Sequence, residues 1–245
     1  VGAPIPDTAR VVKVYDGDTF TLDTGDKVRL RWVNTPERRP LEPYANEAKA
    51  LAERLVLRRK VRLITSGEDA RDGYGRLLAG LEVGRDNLSM ELIEAGYGHV
   101  FIIPPEDTDM APFLHAQGRA RRALRGIWST DRYRGNLHIT SFHANARGPD
   151  AENLNGEYLR VCNVTTGPVD VQGYTLTTRS GPRFALPHLV IPAGHTVLIH
   201  SGRGVHQTDP SQQLHIYLQE TAPVWDDRLD EATLLDPSGN KVDAV

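Results

Sequence analysis

The sequence predicts a mainly β protein of two domains, a five-stranded barrel with three helices over residues 1–134 and a β-sandwich over 135–245. Three observations carry that prediction. Up to residue 134, β-rich runs alternate with stretches of helical spacing; beyond it, only short alternating runs remain, separated by Gly, Pro, Asn and Asp turns. The charge balance also changes, from 22 Lys and Arg against 20 Asp and Glu in the first part to 7 against 12 in the second. Finally, seven of the nine histidines fall in the second part. A shift of this kind marks a domain boundary, placed here near Arg134-Gly135-Asn136.

Within the first part, Arg10–Tyr15, Thr19–Asp23 and Lys27–Val33 read as strands, with Thr24-Gly25-Asp26 as a hairpin turn. Asn46–Arg59 reads as a helix, because Ala48, Leu51, Ala52, Leu55 and Val56 recur at helical spacing. Lys60–Thr65 and Leu77–Val83 are two further strands. Asn87 is placed to cap a second helix ending at Gly96, with Leu88, Glu91, Leu92 and Ala95 setting its period. A third helix, Ala111–Leu124, ends in the basic cluster Arg119, Arg121, Arg122 and Arg125, read either as a solvated face or as a surface for a nucleic-acid backbone. Five strands interrupted by a helix match an OB-type barrel. In the second part Tyr158–Asn163, Tyr174–Thr178, Thr196–His200, His215–Leu218 and Ala232–Leu235 are short strands of the kind a sandwich uses.

Composition excludes several classes. With 39% hydrophobic and 25% charged residues the chain is neither a fibre nor a disordered tail. Its longest apolar runs, such as Val100–Ile103, fall far short of the ~20 residues of a membrane-spanning helix, so no span is expected. The single cysteine, Cys162, excludes an intrachain disulfide and a Cys-based zinc cluster; it alternates with Val161 and Val164 and is expected to be buried and inert. His195, His200, His206 and His215 show no spacing of a metal cage and are expected to be solvated or hydrogen-bonded, as His99 and His115 are expected to be structural or exposed.

The segment that points to chemistry is Tyr15-Asp16-Gly17-Asp18-Thr19, followed by Val28-Arg29-Leu30-Arg31-Trp32-Val33-Asn34-Thr35-Pro36-Glu37. Pairing of these strands brings Asp18, Asn34 and Glu37 to one barrel mouth, where oxygen ligands without histidine favour Ca²⁺ or a similar hard ion. Singly, Asp-Gly-Asp is a turn and Thr-Pro-Glu a strand exit. The case rests on their combination with Asp72-Gly73-Tyr74-Gly75-Arg76, the helix start Tyr44-Ala-Asn-Glu-Ala and the closing Gly126-Ile127-Trp128-Ser129.

In this order and spacing, from about Val11 to Ser129, the set resembles the staphylococcal-nuclease-like (thermonuclease) family. The resemblance implies a barrel nuclease that cleaves DNA and RNA with little sequence preference, leaving 3′-phosphates. It implies Glu37 as the general base, Arg29 and Arg76 as the clamps of the phosphate, and Tyr74 as a phosphate-seating residue. A divalent cation is implied at Asp18, Asn34 and the Thr35 carbonyl, Ca²⁺ first; Asp16 is the candidate for a secondary shell, and Asp16 or Glu42 the candidates to make up the charge lost at Asn34. Two departures modify the expectation. Asn34 stands where the family usually has aspartate, which predicts weaker Ca²⁺ binding or use of Mg²⁺ or Mn²⁺. After Gly96-Tyr97-Gly98-His99-Val100, Phe101-Ile102-Ile103 stand where the family often has tyrosines, so only Phe101 is left to stack on a base. The competing reading is a non-catalytic nucleic-acid- or protein-binding scaffold; retention of Asp18, Arg29, Glu37 and Arg76 together weighs against it.

The turn and core patterning over Asn136–Val245, including Asn155–Asn163, Val169–Leu176, Leu189–His195 and Asp230–Gly239, resembles a lamin-tail domain, an immunoglobulin-like sandwich. That resemblance implies a module binding a further surface or nucleic acid, although an excess of five acidic residues disfavours bulk attraction to phosphate. The partners expected are DNA and RNA substrates. The chain is expected to be a monomer, and its Val-Gly-Ala-Pro start and domain pairing suggest the mature form of a secreted protein.

Overall fold

The computed structural model describes residues 5–67, 70–144, 153–179, 181–225 and 231–245. Residues 1–4 of the Val-Gly-Ala-Pro start and Asp230 of the Asp230–Gly239 segment lie outside the described residues. Contacts divide the chain into two units, residues 1–102 with 106–130, and 103–105 with 131–245.

In the first unit β1 (Thr8–Val14), β2 (Thr19–Leu22) and β3 (Lys27–Leu30) form an antiparallel meander. β2 and β3 alternate buried with less buried positions, and β1 does so up to a bulge between Val11 and Lys13. Val11, Phe20, Leu22 and Val28 thus enter the core while Lys13, Thr21, Lys27 and Arg29 lie on the outer face, Thr21 and Arg29 half-buried. The single strand expected over Lys27–Val33 is in fact two. Trp32 takes a left-handed backbone (φ 69) and turns the chain out of the barrel sheet into β4 (Trp32–Asn34). Its indole then lies against Gly80, where a Cβ would sit 2.2 Å from the ring, and its Nε1 donates to Glu106 at 3.0 Å.

The helix α1 (Ala45–Val56) buries Ala45, Ala48, Leu51, Ala52 and Val56. It begins at Ala45, one residue before the expected Asn46 and directly after left-handed Tyr44 (φ 68), and it ends at Val56, short of the expected Arg59, because Leu57 is extended. Strands β5 (Lys60–Ile64) and β6 (Leu77–Val83) follow, and parallel pairing of β3 with β6 closes the barrel. After β7 (Asp86–Asn87), Asn87 Oδ1 accepts from the Met90 amide and starts α2 (Leu88–Ala95), which left-handed Gly96 ends. Strand β8 (His99–Phe101) pairs antiparallel with β4, setting His99 opposite Asn34. Helix α3 (Ala111–Arg122) stops two residues short of the expected Leu124, which is itself left-handed (φ 50). Much of its terminal basic cluster is committed locally. Arg119 pairs with Glu94 at 2.8 Å, Arg125 donates to the Glu94 carbonyl, and Arg121 lies over the Trp128 ring.

The second unit is all β: β9 (Leu137–His143), β10 (Tyr158–Asn163), β11 (Val169–Asp170), β12 (Thr175–Thr177), β13 (Arg183–Ala185), β14 (Val190–Ile191), β15 (Thr196–His200), β16 (Leu214–Tyr217), β17 (Thr233–Leu235) and β18 (Lys241–Ala244). A four-stranded sheet in the order β16-β15-β10-β9 and another in the order β13-β12-β17-β18 make the immunoglobulin-like sandwich. Their shared core includes Ile139, Leu159, Val161, Ile199, Ile216, Leu176 and Leu234. Cys162 is fully buried, and burial pushes its thiol well above the ordinary range. His200 and His215 stack with ring centroids 5.1 Å apart and share a 2.9 Å contact between Nε2 and Nδ1.

Candidate active site

The Asp16-Gly17-Asp18 turn joins β1 to β2, and the Thr35–Glu37 turn leaves β4. Gly17 is what lets the two turns meet. A Cβ there would stand 2.7 Å from Thr35 Cγ2 and 2.9 Å from Ala48 Cβ, so only a residue without one allows so close an approach. The approach brings Asp18 Oδ2 within hydrogen-bond distance of the Thr35 amide (2.8 Å) and hydroxyl (2.9 Å). Asp18, 6% exposed, also accepts from the Thr19 hydroxyl through Oδ1, while the Asp18 amide donates to Asp16 Oδ1.

Arg29 extends from β3 into this junction and is held at four points. Its Nη1 donates to the Leu30 carbonyl (2.9 Å) and the Val33 carbonyl (3.0 Å) and lies 3.2 Å from Asp18 Oδ2. Its Nη2 donates to Asn34 Oδ1 at 2.7 Å, and the Phe101 ring lies 5.6 Å from the guanidinium carbon. The planar fork is thus fixed before any ligand arrives, which a lysine could not reproduce. Phe101, the remaining candidate for base stacking, faces Arg29.

Glu37 sits on a turn closed by its own neighbours, the residue as a whole reaching solvent while its carboxyl is partly enclosed. Its amide donates to the Glu42 carboxylate at 2.8 Å, and the Glu42 amide donates back to the Glu37 carbonyl at 2.9 Å. Glu42 therefore braces the Glu37 turn. Loss of water around the Glu37 carboxyl, together with the charges of Asp18 and Asp16 and against the pull of Arg29, raises its pKa to about 7. Burial and Asp18 raise Asp16 to about 6.

A divalent cation fits the donors at this junction by their chemistry. The Asp18 and Asp16 carboxylates, the Asn34 amide oxygen and the Thr35 carbonyl are all hard oxygen donors, suited to Ca²⁺, Mg²⁺ or Mn²⁺. Among the described residues no group of three or more His, Cys, Asp or Glu side chains is arranged as a metal cage, and this set has only two carboxylates.

Asp16, Asp18, Arg29, Asn34, Thr35 and Glu37 thus come together as one neighbourhood. Arg76 and Tyr74 stand on the adjacent turn, brought alongside because Leu77, the residue after Arg76, pairs with Val28 of β3. There the Arg76 Nε donates to Asp72 Oδ2 at 2.7 Å, its guanidinium lies 5.5 Å from the Tyr74 ring, and Tyr74 is 74% exposed.

Sequence reasoning missed His99 as a neighbour of the site. It is completely buried and its Nδ1 lies 2.9 Å from the Val100 carbonyl, so Nδ1 carries the proton. In the neutral ring Nε2 is then an acceptor, and it faces Asn34 Nδ2 at 3.5 Å. Arg29 on one side and His99 on the other fix which end of the Asn34 amide is oxygen. The signal lies in register rather than in local pattern, since Asn34 and His99 are cross-strand partners 65 residues apart.

Fold and site together define an OB-type barrel with a carboxylate–guanidinium mouth, followed by a lamin-tail sandwich. The staphylococcal nuclease homologue family model matches residues 27–130, and the lamin tail domain model matches 130–245. The chain is 31% identical to a thermonuclease of Staphylococcus hyicus over 129 residues, covering 50% of this chain and 76% of that protein. It is 31% identical to a thermonuclease of Staphylococcus intermedius over 125 residues, covering 48% and 74%. A Bacillus subtilis endonuclease, YncB, is 30% identical over 129 residues, covering 49% and 61%. The chain belongs to the staphylococcal nuclease family, with a lamin-tail domain appended.

Proposed function

We propose that the protein is a divalent-cation-dependent nuclease that hydrolyses phosphodiester bonds of DNA and RNA with little sequence preference. The observation that carries this reading is the Arg29 guanidinium, tied to Asp18 and Asn34 beside a carboxyl, Glu37, whose pKa lies near neutrality. A base poised near the working pH takes a proton from water most effectively, a contribution of roughly 10²–10⁴-fold. Glu37 is that base, and Arg29 offers its fork to a phosphate oxygen as charge builds up there. Arg76 acts as the second clamp once it turns from Asp72, with Tyr74 beside it. Asp18, Asn34 and the Thr35 carbonyl would hold the cation, with Asp16 behind them. The cation supplies Lewis-acid neutralisation of the phosphate. Ca²⁺ is the first candidate, and the neutral amide at Asn34 leaves Mg²⁺ or Mn²⁺ open.

The test is degradation of plasmid DNA and of RNA by the full chain, with chelator and with each ion restored singly, beside Glu37→Gln. Ion-restored cleavage that disappears in the variant is expected. Intact substrates with every ion would replace this reading with a binding scaffold. We further propose that the protein acts as a secreted monomer, its lamin-tail domain engaging a further surface or nucleic acid. Sedimentation of the purified chain and assay of culture supernatant check the state and the compartment.

A further inference from the structure

Beside Arg29, the outer face of the β1–β3 meander carries a row of groups, Lys13, Tyr15 and Lys27, which the proposed chemistry does not use. Lys27 and Arg29 flank buried Val28 on β3 and so share one face, about 7 Å apart along the strand. Across the sheet, Thr21 pairs with both Lys27 and Lys13, which sets the two lysines on either side of it. Tyr15, one residue before Asp16, completes the row. The Lys13 ammonium stands 4.4 Å from the centre of its ring and the Lys27 ammonium 6.0 Å. Its hydroxyl accepts from the Thr21 hydroxyl at 3.3 Å, and its carbonyl accepts from Arg38, the residue after Glu37, at 3.1 Å.

Two features set this row apart from an ordinary solvated face. Both ammonium groups converge on one aromatic ring, so each feels the other's charge, and among the described residues neither is in an ion pair. The nearby hairpin carboxylates are already engaged, Asp26 with Arg71 at 2.7 Å and Asp23 with the Arg10 amide at 2.9 Å. An anion lying between the lysines would relieve their repulsion. The row is also continuous with the junction where Arg29 is fixed.

We propose that Lys13, Tyr15 and Lys27 form a track for a single strand of nucleic acid that runs on from the phosphate held at Arg29. Lys27 and Lys13 take successive backbone phosphates, and the Tyr15 ring keeps both ammonium groups raised from the sheet. The proposal rests on the nuclease reading above for the direction from which the strand arrives. It concerns substrate holding, not bond cleavage.

The test compares the full-length chain with the double variant Lys13→Gln/Lys27→Gln and with a control of equal charge loss, Lys60→Gln/Lys241→Gln. Two substrates are used, a single-stranded DNA of about 20 nucleotides and a dinucleotide with one phosphodiester bond. For the longer strand the track variant should raise KM about tenfold with kcat within about twofold, leaving the dinucleotide and the control unchanged. Anisotropy of the labelled longer strand in chelator should show the slope of log affinity against log salt reduced by about 1.4, two contacts at roughly 0.7 each. A KM within about twofold of the parent, or a parallel loss on the dinucleotide, overturns the track. If the parent chain cuts neither substrate, the nuclease reading fails by itself and the anisotropy slope alone decides: a slope reduced in the track variant but not in the control upholds the track, and an unchanged slope overturns it.

Discussion

Replacing Gly17 by alanine tests whether the site is built by the contact of two turns. Two effects oppose each other. Alanine restricts the unfolded chain and by itself stabilises by about 0.4–1 kcal/mol wherever the native backbone tolerates it. At Gly17 the backbone is not left-handed, so conformation is no obstacle; space is. The new methyl would stand 2.7 Å from Thr35 Cγ2 and 2.9 Å from both Thr35 Cβ and Ala48 Cβ. Two of those atoms are Cβ atoms fixed to backbone, and Ala48 lies on a buried helix face, so neither of these can swing aside, while turning Thr35 Cγ2 away would break the hydrogen bond of the Thr35 hydroxyl to Asp18. Overpacking of this kind costs about 1–3 kcal/mol, which outweighs the entropic gain. Relief requires the turns to part, and parting breaks the two hydrogen bonds from Thr35 to Asp18. Gly73→Ala is the matched control, since a Cβ there meets nothing within 4 Å and the backbone is not left-handed. Calorimetry of the full chain should show the transition of the nuclease unit lowered by several degrees in Gly17→Ala, with weaker cation binding, while the sandwich transition stays put. Gly73→Ala should be neutral or slightly stabilising. Equal melting temperatures and equal cation affinity in Gly17→Ala and the parent would refute the reasoning.

Other expectations follow from neighbouring contacts. Asn34→Asp adds a formal charge to the oxygen donors and should tighten divalent-cation binding by about tenfold or more; titration calorimetry showing equal or weaker binding sinks that assignment. Arg29→Lys keeps the charge but loses the fork that spans two carbonyls, Asp18 and Asn34. Turnover should therefore fall by about 10²–10³ with a much smaller change in KM, and a purely KM effect would contradict the clamp. In the sandwich, burial lowers the pKa of His143, His200 and His215 below the ordinary imidazole value, with Arg160 adding to each and His200 adding to His215. A histidine depressed in the folded state contributes stability above the unfolded value of about 6.5 and loses it as pH falls through the folded value. The sandwich transition should accordingly drop between pH 7 and pH 5 and drop less in His215→Gln; a midpoint flat over that range would count against the buried histidines.

Much of the architecture was legible because burial leaves a period. Ala48, Leu51, Ala52 and Val56 trace the buried face of α1, and Val28 and Leu30 trace β3, so element types could be read from spacing alone. What stayed hidden was set by backbone angles and by distant partners. Nothing local in Arg31-Trp32-Val33 announces a left-handed tryptophan, because the reason for it is Gly80, on another strand, whose missing side chain leaves room for the indole. The C-terminal ends of α1 and α3 were misjudged for a similar cause, since extended Leu57 and left-handed Leu124 interrupt patterns that polar and apolar spacing would extend.

The site divides along the same line. Asp-Gly-Asp, Thr-Pro-Glu and Tyr-Gly-Arg could be recognised by order, yet order alone did not show how the substitution at Asn34 is accommodated. An aspartate opposite His99 would place a second acceptor against an imidazole nitrogen already fixed as an acceptor by the Val100 carbonyl, unless the ring took up a proton in a fully buried position. Asparagine presents a donor to that nitrogen and keeps its oxygen for Arg29. The neutral residue at this position is therefore matched to the buried His99 across β4 and β8. It follows that Asn34→Asp and His99→Gln are coupled changes. A glutamine amide can offer a donor to the new carboxylate without carrying charge, so the double variant should fold more stably than Asn34→Asp alone, and a double-mutant cycle measures the difference.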